Sequence, residues 1–125
     1  MILLTVDEII MLHSKLLKAT GGLPGLRDRG LLESAVLGVN AGFENMEQYP
    51  TVEEKAARLA YALIKNHAFV DGNKRVGVLA MLMTLKLNGV VLRYTQQELI
   101  GLGLTAANGT AGYGEILEWI RRHET

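Results

Sequence analysis

The sequence has no cysteine. That excludes disulfides, thiolate nucleophiles and cysteine-type zinc sites, and it fits a reducing cytoplasm. Neither sign of charge is in excess: Lys plus Arg number 13, and so do Asp plus Glu. No global field draws the chain to nucleic acid or to an anionic membrane, so no DNA binding of its own is expected. The stretch MILLTVDEII has no basic region and turns acidic by Asp7, unlike a secretory signal. The longest apolar run, residues 76–85, falls far short of the ~20 residues that cross a bilayer. Repeats, low-complexity tracts and linkers are also lacking. The expectation is a cytoplasmic protein whose 125 residues form one domain, 1–125, around one core.

Helix starts are present in plain form. TVDE (from Thr5), TVEE (from Thr51) and TQQE (from Thr95) each place a Thr three residues before a Glu, the pattern of a capping box. The first helix is predicted over Val6–Ala19 and stops at Gly21 and Gly22. A short one follows over Arg29–Leu37, with Asp28 as its cap. Residues 38–50 carry Gly, Asn and Pro and read as a loop or short hairpin. The next helix ends near His67. The one after it, KRVGVLAMLMTLKL, is apolar nearly all round, as a central buried helix should be. Val90–Tyr94 reads as extended, and two more helices complete the chain. The class is all-α: about six helices around a buried central helix, with a possible hairpin flap at 38–50.

The joint between the two most helix-like segments, HAFVDGNKRVG (67–77), concentrates the chemistry. Ordinary helix-turn-helix roles account for much of it. Phe69 is core, Asp71 caps the following helix, Gly72 and Asn73 make the turn, and His67 sits at a helix C-terminus. Lys74 and Arg75 resist that account. They fall in the first turn of a helix, where the dipole is positive and the N–H groups are unpaired. Two cations with a Gly and an Asn at that position form an anion site whose natural ligand is phosphate. Asp71 is a candidate Mg²⁺ ligand. His67 is a candidate general base, since histidine titrates near neutrality. Base, metal carboxylate and phosphate cradle are the parts of phosphoryl or nucleotidyl transfer.

HAFVDGNKR closely resembles the signature of the Fic/Doc family, H-x-F-x-[D/E]-G-N-G-R-x-x-R, at His67, Phe69, Asp71, Gly72, Asn73 and Arg75. GGLPGLRDRGLLESAV (21–36) is similar to the segment that opens death-on-curing (Doc) toxins. The resemblance implies a single Fic/Doc (fido) domain over 1–125 and a Fic/Doc-type bundle. Two positions depart from the usual motif: Lys74 replaces its second Gly, and Val78 its second Arg. AMP-transferring members seat the outer phosphates of ATP with that Gly and Arg. Doc toxins share the Lys, and they resemble kinases. The resemblance therefore implies a Mg²⁺- and ATP-dependent protein Ser/Thr kinase, acting on a translation elongation factor and halting protein synthesis.

By the same resemblance, His67 takes the acceptor proton and Asp71 ligates Mg²⁺. Gly72 and Asn73 offer backbone and amide donors to phosphate, and Lys74 and Arg75 neutralise its developing charge. A cognate antitoxin is implied, its disordered tail folding as a helix into an apolar groove. No inhibitory [S/T]-x-x-x-E-[G/N] segment is present. AMP transfer on the same fold is the first alternative, and a non-catalytic anion- or nucleotide-binding module the second. Outside the motif, Lys65 is expected to be a solvated helix residue, His13 a partly buried structural histidine and His123 free in solvent. Met81 and Met83 are expected in the core.

Overall fold

Three helices begin where the sequence says they should. In the computed structural model, which describes residues 1–125, Thr5, Thr51 and Thr95 each accept the N–H of the Glu three residues on. Each of those Glu side chains accepts the N–H of its Thr in return. Asp28 caps a fourth helix through the Leu31 N–H (3.1 Å). The elements are α1 (Val6–Thr20), α2 (Arg29–Gly38), β1 (Gly42–Phe43), β2 (Met46–Glu47), α3 (Val52–Asn66), α4 (Asn73–Leu87), α5 (Gln96–Ala107) and α6 (Tyr113–His123). The architecture is the expected all-α bundle of six helices with one small antiparallel hairpin.

Its centre is a pair rather than a single helix. Leu59, Ala62 and Leu63 of α3 join Val76 and Ala80 of α4 in a cluster with Ile9, Leu32 and Phe69. The opposite side of the pair presents Ala56, Ala57 and Ala60 with Met81 and Leu85. These pack on Leu102, Ile116, Trp119 and Ile120. The two helices meet at Gly77, where a Cβ would lie 2.7 Å from Ile64 Cγ1 and 3.2 Å from the Ala60 carbonyl oxygen. Met81 is fully buried and Met83 packs on the core, as expected.

Residues 38–50 do form a hairpin. Glu44 and Asn45 have φ of 51° and 66°, successive left-handed residues that suit the twist of a two-residue turn. Lys55, buried in α3, ties the base of the hairpin down. Its Nζ donates to the Val39 carbonyl (2.8 Å), Asn40 Oδ1 (3.3 Å) and Glu47 Oε1 (2.9 Å). Phe43 and Met46 stand exposed at the tip.

The Val90–Tyr94 run is extended but forms no sheet. Leu92 pairs with Glu124, and the Arg93 N–H donates to the His123 carbonyl (2.7 Å). This docking overturns the expectation of a solvated His123. The last turn of α6 is pinned against the start of α5, so His123 Nδ1 lies 2.6 Å from the Trp119 carbonyl and Nε2 lies 2.8 Å from Glu98 Oε2. Its ring stacks on Trp119 at 4.1 Å. The Trp119 carbonyl first, and the Glu98 carboxylate next, raise the His123 pKa above its ordinary 6.5. The bond from His123, helped by the Thr95 N–H, lowers Glu98 to about 2.

A raised histidine pKa stabilises the fold fully below the ordinary value and ceases to do so as pH climbs through the raised one. A lowered carboxylate pKa stabilises above its ordinary 4.5 and ceases to as pH falls towards 2. The contribution of this pair is thus complete between pH 4.5 and 6.5. Thermal melts across pH should show the parent's advantage over His123→Gln greatest in that window and shrinking on both sides. An advantage independent of pH would mean that His123 acts through packing alone.

Candidate functional site

The site is built on residues 67–72, the connection between α3 and α4. The α3 helix ends at His67 with the backbone left-handed (φ 50°, ψ 50°). For a residue with a Cβ this costs on the order of 1 kcal/mol and persists only where neighbours fix the chain. Arg27 does so: Nε donates to the His67 carbonyl (2.7 Å) and Nη2 to the Asn66 carbonyl (3.2 Å). These bonds also satisfy carbonyls that a helix end leaves bare. The loop then runs beside the α1–α2 connection. The Arg27 and Asp28 N–H groups donate to the Ala68 carbonyl (2.7 and 2.9 Å), and the Val70 N–H donates to that of Gly25 (3.0 Å).

Phe69 is buried and anchors the loop, as expected. Its ring stacks on His13 at 3.8 Å and 13°. His13 is indeed buried. Its Nε2 lies 2.7 Å from the Asp71 carbonyl, which only accepts, so Nε2 carries a proton.

Asn73 closes the loop. Its Oδ1 accepts the Phe69 N–H (3.0 Å) and its Nδ2 donates to the Phe69 carbonyl (2.9 Å), both in the interior. This modifies one expectation. The Asn73 amide is engaged by the loop, so what this residue offers an anion is its backbone N–H. Another is corrected: Asp71 does not cap α4. The cap position belongs to Gly72, at φ 78° and without a side-chain bond. Asp71 Oδ2 instead accepts the Leu23 N–H (3.0 Å) and Oδ1 the Gly72 N–H (2.8 Å). The reason is geometric. The Gly72 turn lifts the carboxylate off the helix end and sets it beside the Gly21–Leu23 bend. The Leu23 N–H first, then the Gly72 N–H and more weakly Arg75 and His13, hold the Asp71 pKa below the ordinary carboxylate value.

The N–H groups of Asn73, Lys74 and Arg75 therefore have no protein acceptor. Lys74 is exposed and its stem lies against Gly103 of α5. Arg75 reaches back: Nη1 donates to Thr20 Oγ1 (2.6 Å) and the Gly21 carbonyl (2.8 Å), while Nη2 is 3.8 Å from Asp71 Oδ1. The His67 ring is exposed and makes no hydrogen bond to the protein. Free amides, two cations and one carboxylate thus gather at one helix end, where an anion such as phosphate could be received, and the unengaged His67 imidazole belongs to the other end of the same loop.

No group of three or more His, Asp or Glu residues could cage a metal. Asp71 alone could still hold Mg²⁺, which takes only one or two carboxylates and fills the rest of its shell with phosphate and water oxygens. On one flank, His67 and Lys65 line a cavity of about 270 Å³ with Tyr61 and Asn108. On the other, Lys74 and Arg75 open onto a groove of about 360 Å³ walled by Leu16, Val78, Leu99 and Ile100. Sequence reasoning passed over Arg27, Thr20 and Leu23, which fix His67, Arg75 and Asp71 from a distant segment. No local pattern marks such partners.

Asn73→Asp tests the closure of the loop. The carboxylate still accepts the Phe69 N–H but faces the Phe69 carbonyl with no proton to give, a buried mismatch worth ~2–4 kcal/mol. Denaturant unfolding at neutral pH should show that loss. A variant as stable as the parent would mean that the loop keeps its shape without the amide.

Comparison with known proteins places these observations. The model of the Fic/DOC family matches residues 3–85, which include α1, the hairpin, the whole 67–75 motif and most of α4. The chain is 45% identical over 74 residues to Toxin Doc of Mycolicibacterium smegmatis, a match covering 59% of this chain and 57% of that protein. It is 32% identical over 116 residues to Protein kinase doc of Escherichia phage P1, a match covering 93% of this chain and 90% of that one. The loop that Asn73 closes between α3 and α4 is thus a Fic/DOC loop in sequence and setting, and the chain belongs to the Fic/DOC family.

Proposed function

We propose that this chain is a Doc-type toxin: a Mg²⁺- and ATP-dependent protein Ser/Thr kinase that phosphorylates a translation elongation factor and halts protein synthesis. We read residues 1–125 as one Fic/Doc domain working in the cytoplasm. No helix is long and apolar enough to cross a membrane. The observation that carries the reading is the α4 N-terminus. Three unpaired N–H groups stand with Lys74 and Arg75 where a phosphate would sit, and the same loop begins at His67, whose ring is exposed and unengaged. Likeness over nearly the whole chain to a protein named as a kinase supports it.

In this reading His67 accepts the proton of a Ser or Thr hydroxyl as its oxygen attacks the γ-phosphorus of ATP. The bond from that phosphorus to the bridging oxygen breaks, and ADP leaves. The N–H groups of Asn73, Lys74 and Arg75 bind the phosphoryl oxygens, with the two cations offsetting charge on the transferred group. Asp71 is the residue that would hold Mg²⁺, which when bound supplies charge neutralisation and phosphate alignment. Because Asp71 stays ionised throughout the physiological range, its metal affinity should not fall off at mildly acidic pH. Val78 lines the groove beside Lys74, at the place where AMP-transferring relatives carry an Arg. We further propose that an antitoxin tail folds as a helix into that groove, between α1, α4 and α5.

The test is a lysate incubated with the protein, Mg²⁺ and ATP labelled at the γ- or the α-phosphate. A band labelled only from γ-ATP, and lost with His67→Ala, is the expected outcome. Transfer of the α-label would make the enzyme an AMP transferase, and transfer of neither would favour a binding module. His67→Ala should keep the parent's circular dichroism, since the ring is exposed and bonded to nothing. A second experiment addresses the nucleotide pose. Lys74→Gly combined with Val78→Arg should gain α-label transfer. Kinase activity retained without AMP transfer would sink the roles given to those two positions.

A further inference from the structure

Arg75 is the only Arg in the α4 helix, and its guanidinium is held from one side. The grip comes from the last residue of α1. Thr20 Oγ1 donates its proton to the Leu16 carbonyl (2.8 Å), one helical turn back. A hydroxyl has one proton, so the oxygen is left as an acceptor, and that acceptor meets Arg75 Nη1 at 2.6 Å. The Gly21 carbonyl takes Nη1 as well (2.8 Å). Gly21 and Gly22 have φ of 82° and 125°, so this bend uses backbone that side chains disfavour. A Cβ at Gly22 would lie 2.9 Å from Arg75 Nη2 and 2.8 Å from Asp71 Oδ2. The bend therefore packs directly on Asp71 and Arg75.

From this geometry we infer that Thr20 is a positioning residue for nucleotide binding: with the Gly21 carbonyl it engages Nη1, sets Nη2 on the Asp71 side (3.8 Å) and so leaves Nε of Arg75 for the phosphate. The inference rests on the reading of Arg75 as a phosphate ligand. A free arginine side chain loses rotamer entropy when it is ordered on an anion, and a pre-oriented guanidinium loses less of it. Thr20 is exposed, so replacing its hydroxyl by a methyl group should not disturb the core. Thr20→Val keeps the shape and removes the acceptor, whereas Thr20→Ser keeps the acceptor.

The measurement is calorimetric titration of the full chain with ATP and Mg²⁺. Thr20→Val should weaken binding roughly tenfold, as expected for one hydrogen bond to a charged group. Thr20→Ser should restore it. In an Arg75→Ala background, Thr20→Val should have no further effect, because its action runs through that side chain. Independent, additive losses would overturn the inference, as would parent-like affinity in Thr20→Val. Tighter binding in Thr20→Val would overturn it too, because the contact would then be holding Arg75 away from the phosphate. If Arg75→Ala itself binds like the parent, the fault lies instead with the functional reading of Arg75.

Discussion

The site depends on two hydrogen bonds that the Asn73 amide makes to the backbone of Phe69. They span four residues and tie the first residue of α4 to the middle of the loop that leaves α3. Phe69, buried against His13, anchors the middle of that loop. The loop turns the chain at Gly72, leaves three amides of α4 unpaired and sets Asp71 to the side. A helix could start after any turn. This one starts where an interior side chain has closed a ring around Asp71 and Gly72.

The cost of that arrangement is electrostatic. Lys74 and Arg75 lie where the helix dipole disfavours cations, and no acid occupies the first turn. Asp71 offsets this in part. It lies 3.8 Å from Arg75, and each of its oxygens also accepts one N–H, from Leu23 and Gly72, with lone pairs to spare. With two cations against one carboxylate and three unpaired N–H groups, the helix end is short of negative charge and rich in donors, which is what an anion site requires. Local rules broken in this way, in a chain whose other helices carry an acid or an Asp cap at their starts, point to function rather than to fold.

Much of the architecture was legible because its determinants are local. The Thr-to-Glu pairs sit three residues apart, and the structure shows each closing a capping box. The motif residues are adjacent in sequence and the structure keeps them together. What escaped reading lies across long separations. Arg27 reaches His67 over 40 residues, Arg75 reaches Thr20 over 55 and His13 reaches Asp71 over 58. His123 looked solvated because it lies near the C-terminus, yet Glu98 comes to it from 25 residues away. Asp71 looked like a cap because Asp at a helix start usually is one. Only the Gly72 turn, with its positive φ, shows that the cap position falls one residue later.

These long-range contacts divide the site unevenly. The α1–α2 connection holds two of the three charged groups at the α4 N-terminus: Leu23 fixes Asp71, and Thr20 with Gly21 fixes Arg75. Arg27 fixes the His67 backbone but leaves its ring alone. Phosphate ligands gain from being set in advance, because their task is to stabilise charge at one place and any reorganisation subtracts from it. A general base has a different requirement. It must meet whichever hydroxyl the bound protein presents, and its alignment is completed by that partner. A histidine with a rigid backbone and a free ring satisfies both needs. On the proposed kinase reading, preorganisation falls to the phosphate ligands, and the acceptor orients the histidine ring.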